Sequence, residues 1–182
     1  DMAIKLDPKY AAAFTERGNT FAARGKIDRA LQDYEQAIKF NPSYAGVFNS
    51  RALLWQKKGD IARAIDDFDR AIKANPHFDV ALNNRGAAYK AKGELERALK
   101  DFDQALAINS GFALALFNRG ETLGQIGQHD RAIKDLDTFI KLNGGNALAY
   151  NARGMSLSSK RDYERAIADF SQAIRLDGKL TF

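Results

Sequence analysis

The side chains able to do chemistry in this chain fall into rows rather than clusters. Arg17, Arg51, Arg85, Arg119 and Arg153 stand 34 residues apart, and so do Asp33, Asp67, Asp101, Asp135 and Asp169. Such a row of arginines can grip an acidic partner, or each can pair with a carboxylate of its own chain. The two rows recur together in every period, which favours the internal pair, since the planar guanidinium matches a carboxylate. A third row, Arg29, Arg63, Arg97, Arg131 and Arg165, lies four residues before the aspartates. On a helix that spacing sets both on one face, so these arginines are expected to compete for the same carboxylate at a solvated edge worth little energy. His77 and His129 are far apart and lie in or near turns, which suggests neither a metal pair nor a histidine triad. The chain has no cysteine for a thiolate ligand or disulfide, and no phosphate-binding glycine loop follows a strand. No catalytic residue, metal or cofactor is expected, and the chain reads as a non-enzyme.

One register kept five times is the mark of a stacked array, in which each unit buries its apolar face against the next copy. Within residues 11–44, Phe14, Gly18 and Phe21 lie at helical spacing before Gly25 interrupts. Ile27, Ala30, Leu31, Tyr34, Ala37 and Ile38 follow at steps of three and four, and Pro42 closes the unit. This predicts two amphipathic helices joined by a short turn, with Gly25 ending the first and Pro42 unable to continue the second. The plan recurs through Gly59 and Pro76, then through Gly93.

The pattern resembles the tetratricopeptide repeat (TPR) family. Its large, small, aromatic, Ala, aromatic, Ala and Pro positions are filled by Phe14, Gly18, Phe21, Ala30, Tyr34, Ala37 and Pro42. Phe48, Ala52, Trp55, Ala64, Phe68, Ala71 and Pro76 repeat them. The third set is Leu82, Gly86, Tyr89, Ala98, Phe102 and Ala105, with Ser110 in place of Pro. Leu116, Gly120, Leu123, Ala132, Leu136 and Phe139 form the fourth set, and Tyr150, Gly154, Leu157, Ala166, Phe170 and Ala173 the fifth. The resemblance implies an all-α fold, a right-handed superhelical solenoid of antiparallel helix pairs. Five full repeats are expected at 11–44, 45–78, 79–112, 113–146 and 147–180. Residues 1–10, with Ala3 and Pro8, match the end of a preceding partial repeat, and 181–182 form a tail. An array without polar end caps reads as a slice of a longer protein.

Net charge is only +5, with basic residues scattered through both helices and balanced locally by acids, which argues against a nucleic-acid footprint. No stretch is long and apolar enough to span a bilayer and no signal peptide is visible, so no membrane partner is expected and a cytoplasmic location is favoured.

In the family the first helices line a concave face. The resemblance therefore implies a partner-binding face made of Asn49, Leu53, Val80, Asn83, Asn84, Lys90, Leu114, Phe117, Asn118, Glu121 and Asn151. Asn carries both donor and acceptor and can pair with the main chain of an extended peptide; equally, the asparagines can fill a solvated face or bond across to a neighbouring repeat. Val80, Leu114, Phe117 and Leu148 form an apolar run, with Phe117 as the expected anchor because Thr15, Asn49, Asn83 and Asn151 stand at its place elsewhere. The alternative folds Phe117 back onto its own repeat. Phe139 stands where Ala37, Ala71, Ala105 and Ala173 allow close approach, so its ring needs extra volume. The family's carboxylate clamp for acidic chaperone tails is not matched, since Thr15, Val80 and Asn84 replace its cations.

These readings point to a scaffold that binds an extended peptide or partner helix, the partner's identity being open. The alternative is a homo-oligomer stacked end to end through uncapped repeats. Single-stranded RNA binding is a third reading, disfavoured by the strict period and mild charge.

Overall fold

The computed structural model describes residues 6, 7 and 9–177. Most of the partial repeat expected over 1–10, including Ala3 and Pro8, lies outside the described residues, as does the tail at 181–182. The described residues form ten helices and no strand. They are α1 (Ala11–Ala23), α2 (Ile27–Phe40), α3 (Ala45–Lys57), α4 (Ile61–Ala74), α5 (Asp79–Ala91), α6 (Leu95–Ile108), α7 (Ala113–Gln125), α8 (His129–Leu142), α9 (Ala147–Ser159) and α10 (Tyr163–Leu176). Each odd-numbered helix starts 34 residues after the last. The chain divides into two compact units, Asp1–Ala88 and Tyr89–Phe182, with the division inside α5.

The turn inside each pair closes the same way. The amide of Lys26 donates to the Phe21 carbonyl, and those of Asp60, Glu94, Gln128 and Asp162 donate to Trp55, Tyr89, Leu123 and Leu157. The carbonyls of the same five residues accept from Ala30, Ala64, Ala98, Ala132 and Ala166, so one residue caps the first helix and opens the second. The geometry needs a left-handed backbone one residue earlier. Gly127 supplies it at φ 80°, whereas Arg161 is forced to φ 65° at the same place in the last pair.

The helices of a pair meet where the small residues stand. A Cβ on Gly120 would sit 2.8 Å from Leu136 Cγ, and one on Gly154 would sit 2.7 Å from the Phe170 ring. In the first unit Ala30, Tyr34, Ala37, Val47 and Phe48 belong to one buried cluster with Phe14 and Leu54. In the second, Ala98, Phe102, Ala132, Leu136 and Leu157 are buried.

The Arg and Asp rows pair inside the helix pairs α1–α2, α3–α4, α7–α8 and α9–α10. Arg17 grips Asp33 through Nε (2.8 Å) and Nη2 (2.7 Å), and Arg51 grips Asp67 at 2.7 and 2.8 Å. Arg119 does the same to Asp135 and Arg153 to Asp169. These aspartates are buried, and the bidentate fork satisfies both oxygens. A further row of acids reaches between pairs: Arg85 Nη1 meets Asp69, Arg119 Nη1 meets Asp103 at 2.7 Å, and Arg153 Nη1 meets Asp137 at 2.6 Å. Hydrogen bonds to the two carboxylates hold the Arg119 and Arg153 guanidinium groups above the usual arginine range, against the opposing pull of burial.

The third arginine row does not compete for the buried aspartates. Arg63 turns back to Asp60 and Arg97 to Glu94, three residues earlier at the helix start. Arg63 also lies 3.8 Å over the Trp55 ring, and Arg97 4.0 Å over Tyr89. A helix start draws carboxylates to its free amides, and the arginine follows the nearer acid.

Two outcomes follow from this packing. Asp135→Ala removes the buried two-point fork and leaves Arg119 with Asp103 alone, and is expected to lower unfolding free energy by about 2 kcal/mol, against about 1 kcal/mol or less for Asp103→Ala, whose side chain is half exposed. Urea denaturation of the two variants measures the difference. Burial, reinforced by the charges of Glu16 and Asp33, pushes the Tyr34 phenol up from 10.0 to about 12. Its folded pKa is raised, so its contribution is full below pH 10 and is lost as pH rises towards 12. A loss of roughly 2–3 kcal/mol across that window, absent in Tyr34→Phe, is expected in denaturation curves taken at successive alkaline pH values.

Candidate functional site

The pairing just described consumes the periodic arginines and aspartates, which leaves the exposed side chains of the odd-numbered, first helices of each pair. In the second unit their exposed apolar side chains are Leu114 on α7 and Leu148 and Met155 on α9, at 49, 52 and 60% of full exposure. Leu148 and Met155 are seven residues apart, two turns along one helix face. Met155 also borders a cavity of about 160 Å³ between α7, α9 and the start of α8, lined with Glu121, Gly124, His129 and Ser156. A Cβ on Gly124 would meet Ser156 Oγ at 3.1 Å, so the missing side chain keeps this space open. The sequence reading passed over Gly124 and His129 as site residues. Their signal was departure from the repeat, since Ala22, Gln56 and Lys90 stand at the first position and Ile27, Ile61 and Leu95 at the second.

The other expected residues of this unit are placed differently. Lys90 Nζ meets Glu121 Oε2 at 2.7 Å and both are half-buried, so each enters the surface as half of an ion pair. Phe117 is half-buried and stacks on Phe139, ring centroids 5.2 Å apart. The extra volume that Phe139 needs is met by this pairing within one repeat: Phe117 lies partly on the surface and partly in the core. Asn118 is half-buried. Asn151 is half-buried too, with Nδ2 3.9 Å from Met155 Sδ and a buried Oδ1 to which no group donates among the described residues.

In the first unit the asparagines turn inward. Asn49 and Asn83 are buried at 9 and 1% exposure. Asn49 Oδ1 accepts from Asn84 Nδ2 at 3.0 Å, across neighbouring repeats, and Asn84 Oδ1 accepts from Asn83 Nδ2 at 3.3 Å. The expectation that Asn49 and Asn83 offer free amides to a ligand is therefore corrected. A buried amide must find partners, and Asn84 supplies them, to Asn49 from the adjacent first helix and to Asn83 from the same one. Leu53 and Val80 remain exposed, Leu53 beside a pocket of about 260 Å³. Among the described residues no group of three or more His, Cys, Asp or Glu is placed to hold a metal, and no helix is long and apolar enough to cross a membrane.

Family models match along the chain: a TPR repeat over 18–59 and tetratricopeptide repeats over 45–78, 80–112 and 117–180. The chain belongs to the tetratricopeptide repeat family. No curated protein matches its sequence. Among solved structures it is similar to YrrB, described as a TPR protein with an unusual peptide-binding site. The TM-score is 0.81 at 21% identity, covering 98% of this chain and 92% of that one. MamA gives a TM-score of 0.80 at 20% identity over 94% of this chain and 97% of its own. PilF of Pseudomonas aeruginosa gives 0.84 at 18% identity over 93% and 78%. These likenesses establish the fold. This TPR protein differs from the plainest repeat pattern at Gly124, His129, Phe117 and Phe139, all within its fourth repeat.

Because Phe117 shares its ring with Phe139, Phe117→Ala is expected to cost roughly 2 kcal/mol of stability, against no more than about 0.5 kcal/mol for Leu114→Ala. Thermal and urea unfolding of the two variants checks this.

Proposed function

We propose that this TPR protein is a non-enzymatic interaction scaffold that takes an extended peptide or a partner helix along its first helices. The five units 11–44, 45–78, 79–112, 113–146 and 147–180 serve as its frame. The observation that carries the reading is the exposed set Leu114, Leu148 and Met155, of which Met155 borders the cavity at Gly124. Single exposed apolar residues are ordinary, but apolar anchors next to a cavity with a few polar groups are what a side chain of a partner needs. Glu121, held by Lys90, and Asn151 add fixed polar contacts at the same surface. Leu53, Val80, Asn84, Phe117 and Asn118 extend the proposed face within their own units. The peptide-binding site named for YrrB supports the reading by analogy of fold.

A second reading, end-to-end stacking of copies, has one observation in its favour: Tyr163, Ile167 and Ile174 are exposed along α10. Against it, Ser171 stands where Asp69, Asp103 and Asp137 receive an arginine from the following repeat, so a stacked copy would lack that ion pair.

Peptide phage display on the whole chain tests the first reading. Enriched peptides are expected to carry apolar residues and to bind Leu148→Glu/Met155→Glu at least about tenfold more weakly than wild type. Peptides that bind the double variant equally well would place the surface elsewhere. Growth of the sedimenting species with concentration would favour stacking.

A further inference from the structure

The two units differ in charge at the turns where their first helices end. In the second unit the lysines there are neutralised: Lys90 by Glu121, Lys92 by Glu94 and Lys160 by Asp130. In the first unit Arg24 and Lys26 flank Gly25, and Lys57 and Lys58 end α3. All four are exposed, and among the described residues none has an acidic partner. Asp60, the acid next along the chain from Lys58, is held by Arg63. A cation at a helix C-terminus offsets the helix dipole by about 0.3–1 kcal/mol, which accounts for a single basic side chain at each end but not for paired cations at both.

Of these cations, Lys57 lines the pocket of about 260 Å³ beside Leu53. Its walls are Ala22, Leu53 and Leu54, with Asn19, Ser50 and Lys57 supplying polar groups. Ala23, which also lines it, precedes Arg24, and Lys57 precedes Lys58, so Arg24 and Lys58 are the chain neighbours of two lining residues.

We propose that this edge of the first unit binds an acidic peptide segment. One aliphatic side chain of the segment enters the hollow between α1 and α3, and its neighbouring carboxylates lie on Lys57, Lys58 and Arg24. The proposal rests on the scaffold reading and names the partner chemistry of a surface separate from Leu148 and Met155. A single-stranded nucleic acid fits less well, because it needs open aromatic faces for its bases. The Trp55 ring carries Arg63 at 3.8 Å and Lys58 at 5.6 Å, Phe21 carries Arg17 and Arg29, and Tyr34 is buried.

Fluorescence anisotropy of a labelled Glu-Glu-Leu-Glu-Glu peptide, titrated with the whole chain, tests it. Saturable binding is expected, weakened at least about tenfold by Lys57→Gln/Lys58→Gln and by raising salt from about 0.05 to about 0.5 M. Lys92→Gln/Lys160→Gln, which removes cations already paired, should leave it unchanged, and circular dichroism should show both variants folded. The glutamine version of the peptide should not bind. No saturable binding, equal loss in both double variants, or tighter binding of an oligothymidylate or of phosphatidylserine vesicles would overturn the proposal. The probe reads the first unit, so its failure is distinguishable from failure of the peptide selection on the second.

Discussion

The buried Arg–Asp pair sets the terms for the rest of this structure. An aspartate in an apolar helix interface is costly unless both its oxygens are satisfied. Arg17, Arg51, Arg119 and Arg153 satisfy them with a two-point fork, each across its own helix pair. The fork fixes the level at which the second helix crosses the first, and that level seats Leu136 over Gly120 and Phe170 over Gly154. The third guanidinium nitrogen then reaches the acid of the preceding pair, as Arg119 does to Asp103 and Arg153 to Asp137. One side chain thus couples folding of its own repeat to registration with the preceding one, which is how a stacked array becomes cooperative.

This arrangement explains why the conspicuous charges are poor candidates for binding. The periodic arginines and aspartates are committed to each other, and the outer arginines to helix starts and ring faces. What is left for a partner is whatever departs from the period. In the second unit that is a missing side chain at Gly124 and the exposed Leu148 and Met155. In the first it is a set of cations without acids, one of which, Lys57, lines an apolar hollow. The repeat supplies a rigid frame, and deviations from it supply chemistry.

The fold was legible in the sequence because its information is local and repeated. Apolar spacing gives two helices per unit, Gly25 and its successors give the turn, and a common period for Arg and Asp already identifies them as partners. The role of Phe117 was half legible. Its departure from Asn was visible, but its contact with Phe139 depends on how α7 lies against α8. The asparagine row was misleading for the same reason. Polar residues on a first helix look solvent-facing in a helical projection, yet Asn49 and Asn83 are buried, and Asn49 meets Asn84 of the neighbouring first helix.

The sequence by itself therefore determined the helix pairs, their turns and the Arg–Asp pairing, because each depends on residues held at fixed offsets along one chain. Only the tertiary structure decided which atoms remain available. Burial of Asn49, neutralisation of Glu121 by Lys90, the open space beside Gly124 and the unpaired state of Lys57 depend on side chains from different helices meeting or failing to meet. Those distances follow from packing, and linear spacing does not encode them.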